Sequence, residues 1–175
     1  MNQRRKKVKN LTKLHRIKMS EAESFMQEAI RLSFETMRNN TGGPFGALVV
    51  KDGKIIARGF NKVVSTNDPT AHAEVVAIRE ACKVLNDFQL NGCEIYTSCE
   101  PCPMCMAAIY WARPDKVYYA NSKVDAAKIG FDDDFIYQEL ALPYNTRKIP
   151  LLRIMEKEAL EAFKEWAAKT DKILY

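Results

Sequence analysis

Two short stretches carry the residues able to do chemistry: Asp68-Pro69-Thr70-Ala71-His72-Ala73-Glu74 and, further along, Ser98-Cys99-Glu100-Pro101-Cys102-Pro103-Met104-Cys105. Zinc favours thiolate and imidazole donors in a tetrahedron, and three protein ligands with the fourth place left for water make a hydrolytic ion. His72, Cys102 and Cys105 are candidates for those three. Cys102 and Cys105 are spaced for one face of a helix, one turn apart, so both sulfurs can reach one ion. Pro101 and Pro103 suit the start of that helix, where a missing N–H leaves no intrahelical bond unmade. Glu74, two residues beyond His72, is the proton carrier that hydrolysis needs and that a purely structural site does not. With such an ion lowering the pKa of water toward about 7, Glu74 would take a proton from that water and return it to the substrate. Backbone N–H groups around Cys99 to Cys102, at a helix start, are placed to hold developing negative charge. Spacing alone also permits Cys99 to close the site as a fourth, structural ligand, and permits a redox Cys-x-x-Cys; the company of His72 and Glu74 weighs against both.

Elements that position these residues are legible on either side. Ser20-Glu21-Ala22-Glu23 is a capping box, and Phe25, Met26, Ala29, Ile30, Ser33 and Met37 follow at helical spacing, predicting a first helix to about Arg38. Thr41-Gly42-Gly43-Pro44 breaks it. Phe45 to Val50 and Lys54 to Phe60, joined through Asp52-Gly53, read as a hairpin that leaves Asn61 just beyond its second strand. A turn at Asn67 to Thr70 leads into a helix with Val75, Ile78, Cys82 and Leu85 inward, which puts His72 and Glu74 in its first turn. The pattern then predicts a strand over Cys93 to Ser98, a helix over Pro101 to Trp111, a strand over Lys116 to Ala120 and a helical segment over Val124 to Ile129. A fifth strand is expected over Ile149 to Ile154, and a last helix from Lys157 to about Lys169 with Leu160, Phe163 and Trp166 or Ala167 inward. Strands alternating with helices indicate a layered α/β domain.

Composition narrows the function classes. The chain has 175 residues, 47% hydrophobic and 28% charged, enough for one well-cored domain. Its net charge of +5 is unevenly spread: eight of the 27 basic residues and no acid fall in residues 1–18, leaving 19 basic against 22 acidic residues in the rest. A mildly acidic body weighs against a nucleic-acid substrate. Residues 1–18 read as a basic, solvated and disordered extension in preference to an arm for nucleic acid or an acidic partner, with residues 19–175 as a single domain. Five cysteines, three of them between Cys99 and Cys105, favour metal or reduced thiols over disulfides. With no apolar run of membrane-spanning length and no secretory leader pattern, a cytoplasmic location is expected. Cys82 and Cys93 read as small buried hydrophobes.

Taken together, His-x-Glu and Pro-Cys-x-x-Cys are the pattern of zinc deaminases that act on nucleobases. Further segments extend the likeness: Gly42-Gly43-Pro44-Phe45-Gly46-Ala47, Thr66 to Val75, Tyr96 to Cys105, Ile109-Tyr110-Trp111-Ala112-Arg113-Pro114 and Gly130-Phe131-Asp132-Asp133-Asp134-Phe135-Ile136-Tyr137. From about Ser20 to Tyr175 the chain resembles the zinc-dependent guanine deaminases of the cytidine deaminase-like family. The first, fourth and fifth of these segments separate it from tRNA adenosine deaminases. The resemblance implies a three-layer α/β/α fold with a five-stranded mixed sheet, and hydrolysis of guanine to xanthine and ammonia. It implies one Zn2+ per subunit, held by His72, Cys102 and Cys105 with water as fourth ligand. Glu74 would be the proton shuttle and Asp133 a second catalytic acid that contacts the guanine edge and aids proton transfer, with Phe45, Asn61, Ala73 and Tyr175 contacting the base. A homodimer is also implied, in which the C-terminal segment crosses to the partner and Tyr175 closes its site. Competing readings are deamination of guanosine or another purine, a tRNA adenosine deaminase with a basic channel, and a non-enzymatic protein stabilised by zinc.

Overall fold

In the computed structural model, which describes residues 20–131 and 133–174, helix α1 (Glu21–Arg38) begins where the capping box predicts. The Glu23 N–H donates to Ser20 Oγ at 3.2 Å and the Ser20 N–H to Glu23 Oε2 at 2.7 Å. The basic segment 1–18, Asp132 and Tyr175 lie outside the described residues. The chain continues through β1 (Gly46–Lys51), β2 (Lys54–Phe60), α2 (Val63–Thr66), α3 (Ala73–Leu85), β3 (Cys93–Cys99), α4 (Pro103–Ala112), β4 (Lys116–Asn121), α5 (Lys123–Ala127), α6 (Asp134–Ala141), a 3-10 turn at Tyr144–Thr146, and α7 (Glu156–Ala168).

Asp52 and Gly53 turn the β1–β2 hairpin with φ of 49° and 70°, a left-handed pair that matches the twist of the strands it joins. The sheet runs β2-β1-β3-β4, with β1 antiparallel to both neighbours and β3 parallel to β4. Parallel neighbours require a crossover, which α4 provides. β1 is buried on both faces, so its side chains sort by the period of two. Ala47 and Val49 join Ala73, Ala77, Ile95 and Ile109 on the α3/α4 side, while Leu48 and Val50 join Ala29, Leu32 and Tyr96 on the α1 side. The alanines of α3 let that helix lie close to the hairpin. At Gly59 the approach is so close that a Cβ would stand 2.1 Å from the Ala73 carbonyl oxygen.

The α/β layering and mixed sheet are as expected, but among the described residues the sheet has four strands, not five. Residues 149–154 are irregular chain. Pro150 removes a ladder donor, and Ile149, Leu152 and Ile154 stay 79%, 82% and 79% exposed among the described residues. Helix α7 forms almost where the spacing places it, yet its expected inward residues Leu160, Phe163 and Trp166 remain 41%, 74% and 44% exposed. An amphipathic period shows that a helix has an apolar face and is silent on what covers it. α2 and α6 were not anticipated; both are short, and neither buries a residue. No helix among the described residues is long and apolar enough to cross a membrane.

Candidate active site

Strand register collects the candidate residues on one edge of the sheet. Gly46 pairs with Phe60 and Ala47 with Thr97, so Phe45 before β1, Asn61 after β2 and Cys99 at the end of β3 all emerge together. Two helices start there. His72 is the N-cap of α3, in extended conformation, with its carbonyl accepting the Val76 N–H at 2.9 Å. The turn leading to it is braced by Asp68 Oδ1, which accepts the Thr70 N–H at 2.8 Å and the Thr70 hydroxyl at 2.7 Å. Cys102 is the N-cap of α4, followed by Pro103 in the first turn as the sequence predicts, and Cys105 lies one turn on. The metal candidates therefore sit at the mouths of two helices packed on the same face of the sheet.

His72 Nδ1 lies 3.6 Å from Cys102 Sγ and 3.5 Å from Cys105 Sγ, and the three donor atoms fall within 4.8 Å of one another. Tetrahedral zinc with ordinary Zn–N and Zn–S bonds separates nitrogen and sulfur by roughly 3.6 Å, so this donor set fits the ion. Protonation fits as well. Hydrogen bonding with Cys105, and then with His72, outweighs burial and holds the Cys102 thiol down to about 4. Its bond to Cys102 and burial push the Cys105 thiol up, and the bond to Cys102 pushes His72 up against desolvation. A Cys102 thiol held this low is ready as the thiolate, the form in which cysteine binds a metal. Cys99 does not join it: its thiol donates to the Ser122 carbonyl at 3.7 Å, and burial pushes it up to about 11. The structural-zinc reading loses its fourth ligand.

Glu74 is buried beside the cluster and accepts the Cys105 thiol at 3.5 Å on Oε2. Desolvation raises its carboxyl above the ordinary carboxylate range, which suits a group that must both take and return a proton. A cavity of about 240 Å³ opens onto His72, Glu74 and Cys102, and Phe45, Asn61 and Asp133 line it too. Asn61 is held by its carbonyl end: Oδ1 accepts the Gly43 N–H at 3.4 Å and the Val63 N–H at 3.3 Å. Those bonds occupy the oxygen end of the amide, so its NH2 is the end that has donors to offer. Gly42 permits those bonds, since a Cβ there would stand 2.7 Å from Asn61 Oδ1.

Of the two described aspartates in the 132–134 run, Asp133 lines the cavity and Asp134 accepts the Gln138 amide at 2.7 Å on α6; Asp132 is outside the described residues. Ala73, expected to contact the base, is buried whole in the core and is not among the residues that line the cavity. Tyr175 lies outside the described residues. Residue-by-residue reasoning did not single out Glu100, Val63, Val64 and Phe131, which also line the cavity. Phe131 stands edge-on to Phe45, with ring centres 4.8 Å apart and an angle of 87°. Glu100 could have been noticed as the one charged residue inside the cysteine motif; Val63 and Val64 carry no local signal.

The arrangement is that of a zinc-dependent hydrolytic deaminase, and residues 19–121 match the cytidine and deoxycytidylate deaminase zinc-binding region. The chain belongs to that family, and zinc is its cofactor. More particularly, it is 56% identical over 144 residues to the guanine deaminase of Bacillus subtilis strain 168, covering 82% of this chain and 92% of that one. The crystal structure of Bacillus subtilis guanine deaminase matches with a TM-score of 0.86 at 54% identity, over 87% of this chain and 98% of that one. A guanine deaminase from Nitrosomonas europaea matches with a TM-score of 0.61 at 33% identity, over 67% of this chain and 68% of that one. A tRNA-specific adenosine deaminase of Aquifex aeolicus is 45% identical over 100 residues, 56% of this chain and 64% of its own length.

Proposed function

We propose that this chain hydrolyses guanine to xanthine and ammonia. One observation carries the substrate choice: the 144-residue likeness to a guanine deaminase is longer than the zinc-binding region 19–121, so it takes in sequence beyond that region, whereas the likeness to a tRNA adenosine deaminase covers 100 residues. The zinc-binding region is common to both activities, and the likeness to the guanine deaminase runs beyond it.

His72, Cys102 and Cys105 hold the ion, which when bound supplies a water of lowered pKa. Glu74 carries the protons. Its carboxylate takes one from the attacking water, passes it to a ring nitrogen as oxygen adds to the amino-bearing carbon, and assists the amino group to leave as ammonia. Water is consumed and ammonia released, so the balance closes without a further reactant. Asn61 donates its amide N–H to the base, Phe45 holds the ring plane with Phe131 at its edge, and Asp133 accepts from the guanine edge. Backbone N–H groups at the start of α4 hold the negative charge that builds on the ring.

A cytoplasmic homodimer with exchanged C-terminal segments, Tyr175 closing the partner's site, belongs to the same proposal. In its support, several apolar residues of 149–174 stay exposed among the described residues: Leu152, Phe163, Ile173 and Leu174 are 82%, 74%, 72% and 73% exposed. The deciding experiment is ammonia release from guanine, guanosine, adenine and tRNA, with xanthine followed by ultraviolet absorbance. Turnover of guanine alone is expected; turnover of guanosine with none of guanine refutes the substrate assignment.

A further inference from the structure

The outer wall of the cavity, which carries Phe131 and Asp133, is strung between two helices. On one side the turn that follows α5 reaches Gly130 with φ of 92°, and the Phe131 N–H donates to the Ala126 carbonyl at 3.1 Å. On the other, Asp133 is the N-cap of α6. Lys123 touches both ends of this arrangement. Its backbone N–H donates to Glu100 Oε2 at 3.0 Å, tying the start of α5 to a residue that lines the cavity. Its Nζ lies 4.5 Å from the centre of the Tyr137 ring and 4.0 Å from Asp134 Oδ1, both on α6.

A cation at the first position of a helix gains nothing from the field of that helix, which favours anions there. The attraction that places the ammonium therefore comes from α6. We infer that Lys123 is a positioning residue for the reaction: its side chain latches α6 to the start of α5 and so sets Asp133 and Phe131 against the base. This rests on the guanine deaminase reading. Lys123 touches no reacting atom; it acts through Asp133, one residue from its ion-pair partner and four from the ring beneath it.

A half-exposed cation–π contact with a weak ion pair supports an effect of about fivefold. The test uses the zinc-loaded enzyme. Lys123→Met keeps the length of the side chain and leaves the backbone bond to Glu100 intact. It is expected to raise KM for guanine about fivefold, with kcat changed less and full zinc content, whereas Lys123→Arg restores the parental value. In an Asp133→Asn background the same Lys123→Met change is expected to add nothing, because the residue it positions is already impaired. Where Asp133→Asn turns over too slowly, calorimetric binding of xanthine replaces KM. Parental KM in Lys123→Met, an undiminished effect in the Asp133→Asn background, or no rescue by Lys123→Arg each overturns the assignment. A parent enzyme that leaves guanine untouched overturns the functional reading beneath it instead.

Discussion

Gly59 offers a direct test of how the hairpin sets the site. A Cβ at this position would lie 2.1 Å from the Ala73 carbonyl oxygen, 2.5 Å from the Ala77 nitrogen and 2.9 Å from Ala77 Cβ. Two of those three atoms are backbone, so no rotamer change relieves the contact. Reaching 3.4 Å, where ordinary contact begins, requires α3 to withdraw by about 1.3 Å. Ala73 sits between His72 and Glu74, so the withdrawal carries the imidazole ligand and the proton carrier with it. Overpacking of this kind costs about 2 kcal/mol, roughly 4–8 °C in Tm for a domain of this size. A misplacement near 1 Å at the reacting groups costs on the order of 100-fold in rate. Gly59→Ala is therefore expected to lose far more kcat than its stability loss explains, in guanine turnover measured well below its Tm with zinc content checked. Gly46→Ala is the control. Its Cβ would meet the Ala29 carbonyl oxygen at 2.4 Å and Leu32 Cβ at 2.8 Å, on the opposite face of the sheet. It should melt earlier with kcat largely retained. Gly59→Ala with kcat within about twofold of the parent would refute the reasoning that β2 sets the mouth of α3.

Glu74→Gln keeps the shape of the site and should reduce turnover by at least about 100-fold while zinc, counted by atomic absorption, stays at one per chain. Cys99→Ser should bind zinc like the parent, and loss of the metal in that variant would restore Cys99 as a ligand. Asn61→Ala should raise KM for guanine about tenfold, since a buried hydrogen bond to a neutral ligand is worth about 1 kcal/mol or somewhat more. Glu28 joins Arg31 on α1 and Arg58 on β2, and the bond to Arg31, more than that to Arg58, holds its carboxyl down to about 2. A depressed carboxyl contributes stability above its unfolded pKa, so this share, about 1 kcal/mol after solvent screening, should disappear as pH falls from about 4.5 toward 2. Glu28→Gln should flatten that part of the stability profile measured by urea titration.

Local chemistry was legible in the sequence because it depends on neighbours along the chain. Ser20 and Glu23 cap a helix by reaching three residues, Cys102 and Cys105 share a face through helical geometry, and Asp52-Gly53 turns a hairpin through its own φ angles. The donor types of His72, Cys102 and Cys105 already point to zinc, and Glu74 beside them to hydrolysis. Other questions were open until distant segments met. Cys99 has ligand spacing and is withheld from the cluster by the Ser122 carbonyl, 23 positions on. Asp133 lines the cavity, whereas Asp134 accepts from Gln138 within α6. Asn61 is aimed by two backbone N–H groups and by the absence of a side chain at Gly42. The apolar run 149–154 and the face of α7 promised burial, but periodicity records only which side of an element avoids water. Burial is a property of what lies opposite, and that is decided by tertiary and quaternary packing.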